Sequence, residues 1–227
     1  MEIKHLHSWE STPKEAVALQ RLLSGNRVSV EGPRLNEIKT VAGADISMEI
    51  HGDTLYAAVV VMSFPGLEVI ETAGVTGPAS FPYVPGLLSF REAPLLLKAF
   101  ERIENVPDAV IIDGHGIAHP RGLGIATHVG LFLDVPTIGC AKSVLCGSYD
   151  IPDIKRGSFS GLLDKEGNRI GAAVRTRRGI SPVFVSVGNK ADLDSCIRLV
   201  LACATRYRLP EPSRQAHILA NKLRLIP

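Results

Sequence analysis

The sequence predicts an α/β fold in which helices flank a mixed central sheet of five strands, with further strands and helices added at the C-terminal end. Three observations lead there. Three β-rich runs occupy the first third of the chain, joined by turns too short for a crossover. Strand and helix patterns then alternate after residue 90, and the 227 residues, 45% of them hydrophobic, can bury a full core. Short turns pair neighbouring strands antiparallel, whereas helical crossovers bring the chain back parallel, so one sheet has to contain both. No linker, internal repeat or low-complexity tract interrupts residues 1–227, which read as one domain.

The elements follow in order. Within residues 13–23, Ala16, Val17, Leu19 and Leu23 fall mainly at three- and four-residue spacing with Gly25 as a stop, which predicts a helix. Residues 41–47, 55–64 and 67–75 read as strands, with His51-Gly52-Asp53 and Pro65-Gly66 turning between them. A loop dense in proline and glycine spans 77–86, and a helical pattern runs from about 94 to 103. Residues 109–113 are apolar up to a carboxylate followed by glycine, the pattern of a fully buried strand. A glycine-rich loop and a helix over 124–133 lead to another buried strand at 136–140. Strands near 169–175 and 183–187 and helices near 191–205 and 213–223 complete the chain.

Composition excludes several classes. Residues 1–10 carry charges and two histidines where a secretory signal needs an apolar stretch, and no apolar run approaches a membrane span, so a soluble, cytoplasmic protein without a membrane partner is expected. Cys140, Cys146, Cys196 and Cys203 lack the paired spacing of a zinc site and the density of a disulfide scaffold, and read as reduced thiols. The net charge of +2 hides an asymmetry. Residues 1–150 hold 11 Lys+Arg against 17 Asp+Glu, and residues 151–227 hold 14 against 6. Arg175, Arg177, Arg178, Arg206, Arg208 and Arg214 could present a phosphate-facing surface, since cations near a polyanion gain by releasing its counterions; the alternative is a solvated face.

Carboxylates stand where a core should be. Asp45 lies inside Val41-Ala42-Gly43-Ala44-Asp45-Ile46, and an ionised group among apolar neighbours needs a compensating partner. Asp113 ends Val110-Ile111-Ile112, where an aspartate before glycine can equally be a turn residue. Glu92 is a third candidate. Ser89-Phe90-Arg91-Glu92 matches a capping box, but that register puts Pro94 beyond the first turn, so a helix start nearer Glu92 is expected, leaving its carboxylate free. Three convergent carboxylates would suit magnesium or manganese. His115 and His119 are poorly placed for a zinc pair beside Gly116 and Pro120; a surface-loop role is expected for His115, and metal-site support or structural duty for His119. Lys142 follows a strand and would project at a carboxyl end of the sheet, where α/β folds bind ligands.

The run Phe81-Pro82-Tyr83-Val84-Pro85-Gly86-Leu87-Leu88-Ser89-Phe90-Arg91-Glu92 closely resembles the signature of the endonuclease V family, the deoxyinosine 3′ endonucleases. Asp113-Gly114-His115-Gly116, His119-Pro120-Arg121, Val135-Pro136-Thr137-Ile138-Gly139 and Ala141-Lys142-Ser143 match in order, and the likeness extends from about Leu6 to Arg214.

This resemblance implies a ribonuclease-H-like fold with Asp45, Glu92 and Asp113 as metal-binding catalytic carboxylates, Mg2+ as cofactor and Mn2+ as a substitute. It implies that Pro82-Tyr83-Val84-Pro85 is a wedge entering the duplex beside the lesion, and that Gly86, Leu88, Gly114 and Gly116 line a pocket for the flipped base. Lys142 and His119 take the phosphate-contacting and catalytic-support positions, and His217 is a candidate fourth metal-site residue. His115 stands where many relatives carry glutamine, and Val84 is a conservative change within the wedge. The implied activity is hydrolysis of the second phosphodiester bond 3′ to inosine in DNA, leaving 3′-hydroxyl and 5′-phosphate ends, by a monomer acting in repair with downstream partners unspecified. Inosine-containing RNA as substrate and a non-catalytic lesion-binding module are the alternatives.

Overall fold

The computed structural model describes residues 1–26, 32–49 and 52–225. His51, assigned above to a turn, lies outside the described residues. The elements are α1 (Pro13–Ser24), β1 (Thr40–Met48), β2 (Thr54–Ser63), β3 (Val69–Pro78), α2 (Leu88–Glu101), β4 (Ala109–Ile112), α3 (Ile125–Leu133), β5 (Thr137–Ala141), β6 (Phe159–Leu163), β7 (Arg169–Val174), β8 (Val183–Asn189), α4 (Leu193–Cys203) and α5 (Glu211–Arg224).

The sheet is mixed, as expected, but it is eight-stranded rather than five, in the order β3-β2-β1-β4-β5-β8-β7-β6. β1 pairs antiparallel with β2 and parallel with β4, and β4 pairs parallel with β5. The C-terminal strands are therefore a continuation of the central sheet: β8 joins β5 antiparallel and carries β7 and β6 outward. β6 escapes sequence reading because Phe-Ser-Gly-Leu-Leu is short and has glycine at its centre. Among the described residues no helix is long and apolar enough to cross a membrane.

Side-chain alternation divides the core into two layers. Ala42, Ala44, Val59, Val61, Val110 and Ile112 face α2 and α3 with Leu96, Phe100, Val129 and Phe132. Val41, Val60, Ala109, Ile111, Val183 and Val185 face the other way, against Cys196, Leu199 and Cys203 of α4 and Ala216 of α5. By the same alternation Asp45 and Asp113 point to the α5 side, in step with Val41 and Ile111.

α2 departs from expectation. It begins at Leu88 with no side-chain cap, continues through Pro94, and carries no acidic residue in its first turn. A proline inside a helix costs about 3 kcal/mol. The helix outweighs this by burying Phe90, Ala93, Leu96, Leu97 and Phe100, each large apolar side chain contributing roughly 1.5–3 kcal/mol. Ser89 is not an N-cap; its hydroxyl bonds to Nδ1 of the buried His128 at 3.0 Å. Glu92 consequently sits at the start of the second turn, on a rigid, packed helix.

α5 lies so close to β1 that a methyl group on Gly43 would overlap the Pro212 carbonyl. Gly43→Ala is expected to lower stability by about 1–3 kcal/mol through forced displacement of α5, whereas Gly25→Ala, whose added carbon would meet only Leu22 O at 3.6 Å, stays within about 0.5 kcal/mol of wild type. Urea unfolding of the two variants measures the difference.

Candidate active site

The pairing of β1 with β4 sets the first two site residues side by side. Ala44 is opposite Ile112, and the ladder extends one residue further, with Asp113 N–H donating to Ala44 O at 3.0 Å. From α5, His217 places Nδ1 at 2.6 Å from Asp45 Oδ2. Ligand atoms of Asp45, Asp113 and His217 all lie within 4.8 Å of one another. The histidine is fixed from behind: Asn221 contacts its Nε2 at 3.1 Å and its carbonyl at 3.0 Å, and Ser47 Oγ bonds Asn221 Oδ1 at 3.0 Å. Lys142, leaving the end of β5, sets Nζ at 2.5 Å from Asp113 Oδ2.

Glu92 stands outside this triad but shares its field. Its carboxyl is pushed up to about 8, first by burial and then by the charge of Asp45, with Arg91 opposing and Asp113 adding to the rise. The Asp45 carboxyl is likewise raised, by burial and then by Asp113, against the lowering effect of His217 and Lys142. Negative charge is thus crowded beyond what one lysine compensates. Two carboxylates, a nearby third and one imidazole form a donor set that fits a divalent cation such as Mg2+ or Mn2+.

Beside the triad is a cavity of about 410 Å3, lined by Tyr83, Val84, Pro85, Gly86, Leu88, Asp113, Gly114, His115, His119 and Lys142 among others. Tyr83 is 65% exposed at this wall, and Pro82 is exposed beside it. The loop is anchored beneath by the buried Arg91, which donates to Phe81 O at 2.7 Å and to Asp53 Oδ1 at 2.8 Å. Gly116 does not line the cavity. It donates its N–H to Ser186 Oγ at 2.8 Å, and a side chain there would overlap the Val187 carbonyl, so its smallness serves packing against β8.

The carbonyl of Gly86 collects three donors: Gln20 Nε2 at 3.0 Å, Arg121 Nη2 at 2.6 Å and His119 Nε2 at 3.1 Å. His119 Nδ1 accepts the Arg121 N–H at 3.1 Å, which sets the tautomer, and burial followed by Arg121 holds the ring neutral, down to about 4. His119 therefore holds the cavity loop in place. Gly86 has φ +78°, and a Cβ would come within 2.7 Å of Arg121 Nη2, so only glycine fits. Sequence reading missed Gln20 and gave Arg121 no role beyond its place in the His119-Pro120-Arg121 motif. A signal existed for the first, because Ala16, Gln20 and Leu23 form the buried stripe of α1, a polar residue on an apolar face.

Two further expectations change. His115 is half-buried and bonds Ser143 O through Nε2 at 3.0 Å, tying the loop after β4 to the loop after β5. Of the six C-terminal arginines, Arg175 is buried and bonds backbone carbonyls, Arg208 is half-buried and also bonds carbonyls, and Arg214 pairs with Glu211 at 2.5 Å while covering the Tyr207 ring. Arg177, Arg178 and Arg206 stay exposed.

The sequence profile of the endonuclease V family matches residues 24–218. Endonuclease V of Gloeobacter violaceus is 49% identical over 223 residues, spanning 96% of this chain and 89% of the relative. The crystal structure of endonuclease V from Streptomyces avermitilis superposes with a TM-score of 0.90 at 39% identity, covering 98% of this chain and 97% of the other. Endonuclease V of Ciona intestinalis, solved in complex with a 24mer DNA containing an inosine followed by a ribo-adenosine, superposes with a TM-score of 0.82 at 25% identity, covering 94% and 98%.

The raised Glu92 carboxyl has a consequence for stability. Folded Glu92 keeps its proton to about pH 8, whereas a glutamate in the unfolded chain loses it near 4.3. Between these values the native state binds more protons, so stability falls as pH rises. His119 and His128, held neutral to about 4 and about 3, act oppositely once the pH drops below about 6.5, where unfolded histidines charge. From pH 6.5 to 8 the chelator-treated protein should lose urea resistance, and Glu92→Gln should flatten that slope.

Proposed function

The chain belongs to the endonuclease V family, and from this premise we propose that it is a divalent-metal-dependent endonuclease that recognises inosine in DNA and hydrolyses the second phosphodiester bond on its 3′ side, leaving 3′-hydroxyl and 5′-phosphate ends. The observation that carries the reading is adjacency: the Asp45–Asp113–His217 triad shares Asp113 with a cavity of about 410 Å3 walled by an exposed tyrosine loop. One half suits phosphodiester chemistry and the other a single extruded base.

In this reading Asp45 and Asp113 hold the metal, with Glu92 completing the site and His217 beside it. A divalent cation held there would supply positive charge and Lewis acidity for phosphodiester hydrolysis. Lys142, already at the Asp113 carboxylate, stabilises the charge that develops on the phosphate. Tyr83 enters the duplex and stacks on exposed bases, and its flanking prolines reduce the ordering entropy of insertion. Flipping costs a few kcal/mol and least for a mispaired base. Hypoxanthine lacks the exocyclic amine of guanine, so close walls at Gly86 and Gly114 would exclude guanine sterically and leave its donor unpaired. His119 contributes by fixing Gly86. The order β3-β2-β1-β4-β5, with an antiparallel meander and two parallel strands, supports a ribonuclease-H-like classification of the central strands. The reading takes the enzyme to act as a monomer.

A second reading, cleavage of inosine-containing RNA, is favoured by one observation: the Ciona relative was captured with a ribonucleotide directly after inosine.

The test is denaturing-gel mapping of a labelled duplex with one deoxyinosine, in magnesium, manganese or chelator, beside the same sequence as RNA and as a single-ribose chimera. A metal-dependent nick one nucleotide beyond inosine is expected, with Asp113→Ala lowering the rate roughly a hundredfold or more. Tyr83→Ala should weaken binding of the lesion about tenfold. Binding without a cut on any substrate would leave a lesion-binding module.

A further inference from the structure

A second cavity, about 460 Å3, opens between the segment following β5 and the β7–β8 turn. The stretch from Lys142 to Val144 lines both cavities and is the wall between them. Two guanidinium groups contribute to the second one. Arg175, 8% exposed, donates to the carbonyls of Asp153 at 3.1 Å, Ile180 at 2.5 Å and Pro152 at 2.7 Å. Arg208 donates to those of Ser181 at 3.0 Å, Lys142 at 2.6 Å and Pro182 at 2.8 Å. Among the described residues neither meets a carboxylate. Carbonyl dipoles orient these cations without neutralising them, and the buried charge of Arg175 is costly unless something of the other sign compensates it, while the half-buried Arg208 stays within reach of a ligand.

Apart from Lys142, Ser143 and Ser181, the remaining wall is apolar. Tyr149 packs on Phe184 at 5.0 Å and 74° and stays 36% exposed; Ile151 is 82% exposed and Val144 39%. Arg177 and Arg178 stand exposed in the turn that bounds the cavity. An aromatic ring and aliphatic side chains beside unneutralised guanidinium groups match one chemical class: a nucleotide, with its base against the apolar wall and its phosphate toward the cations.

We propose that this cavity is a nucleotide subsite for the flank of the lesion-bearing strand, taking a base against Tyr149 and Ile151 and backbone phosphate at Arg208 with Arg177 and Arg178. The inference rests on the function proposed above, because the shared wall at Lys142 makes the subsite continuous with the cavity for the flipped base. It also gives a use to part of the basic C-terminal stretch: Arg175 and Arg208 build the subsite, and Arg177 with Arg178 extends its reach along the strand.

Fluorescence anisotropy with end-labelled oligonucleotides carrying one deoxyinosine, in calcium in place of magnesium, tests this. Tyr149→Ala combined with Ile151→Ser should weaken binding about tenfold. Arg177→Ala combined with Arg178→Ala should flatten the dependence of log affinity on log salt by about one to two. All four positions are on the surface, so folding is preserved. Both losses should disappear when the oligonucleotide is trimmed, from one end or the other, to the lesion and two neighbours. Unchanged affinity for the long oligonucleotide, or the same loss with every trimmed one, overturns the subsite. Failure of the wild-type protein to prefer inosine over an adenine control would instead overturn the function on which it rests.

Discussion

Two aspartates held side by side on neighbouring parallel strands are the constraint around which the site is arranged. The β1–β4 ladder runs on until Asp113 donates to Ala44, and alternation then turns both Asp45 and Asp113 toward α5. Burial, and after it the like charge of a neighbouring carboxylate, raises the proton affinity of Asp45 and of Glu92. Lys142 and His217 relieve part of that repulsion, and a divalent cation would relieve the rest. An apolar pair at the same positions would pack more easily, so the carboxylates are a local cost carried by the two-layered core around them.

The helices translate that core into placement. α2 tolerates Pro94 because its apolar face is buried against the sheet and α3, and it thereby presents Glu92 from a rigid element. α5 approaches β1 closely enough to demand glycine at 43, which brings His217 onto Asp45 with Asn221 and Ser47 behind it. The cavity loop, by contrast, owes its position to polar contacts. Three donors from α1 and the loop after β4 converge on one carbonyl at Gly86, and the buried Arg91 holds Phe81. In a dry setting such contacts are worth more than at the surface and leave little freedom of orientation. Tyr83 is therefore exposed on a loop whose two ends are fixed.

The basic half of the chain is used in two ways that its charge alone does not distinguish. Arg175 is buried and Arg208 half-buried, both bonded to carbonyls around the second cavity, while Arg177, Arg178 and Arg206 face solvent. Positive charge near the lysine end of β5 thus comes from both buried and solvent-facing groups, with Arg214 neutralised by Glu211.

Local pattern determined much of this protein. Period-two alternation and apolar runs located the strands of the central sheet except β6, and an aspartate inside an otherwise buried strand marked Asp45 before any partner was known. The ordered motifs around Tyr83, Glu92, Asp113 and Lys142 carried the family. Tertiary structure alone decided the extension of the sheet to eight strands, the start of α2 at Leu88 and the turning of Gly116 away from the cavity. It also decided the partners that meet across long separations, His217 with Asp45 over 172 residues and Arg121 with Gln20 over 101. The physical reason is range. Backbone propensity and side-chain alternation act over a few residues and are written in the order of the chain, whereas a hydrogen bond between distant segments exists only once the core has fixed where each segment lies.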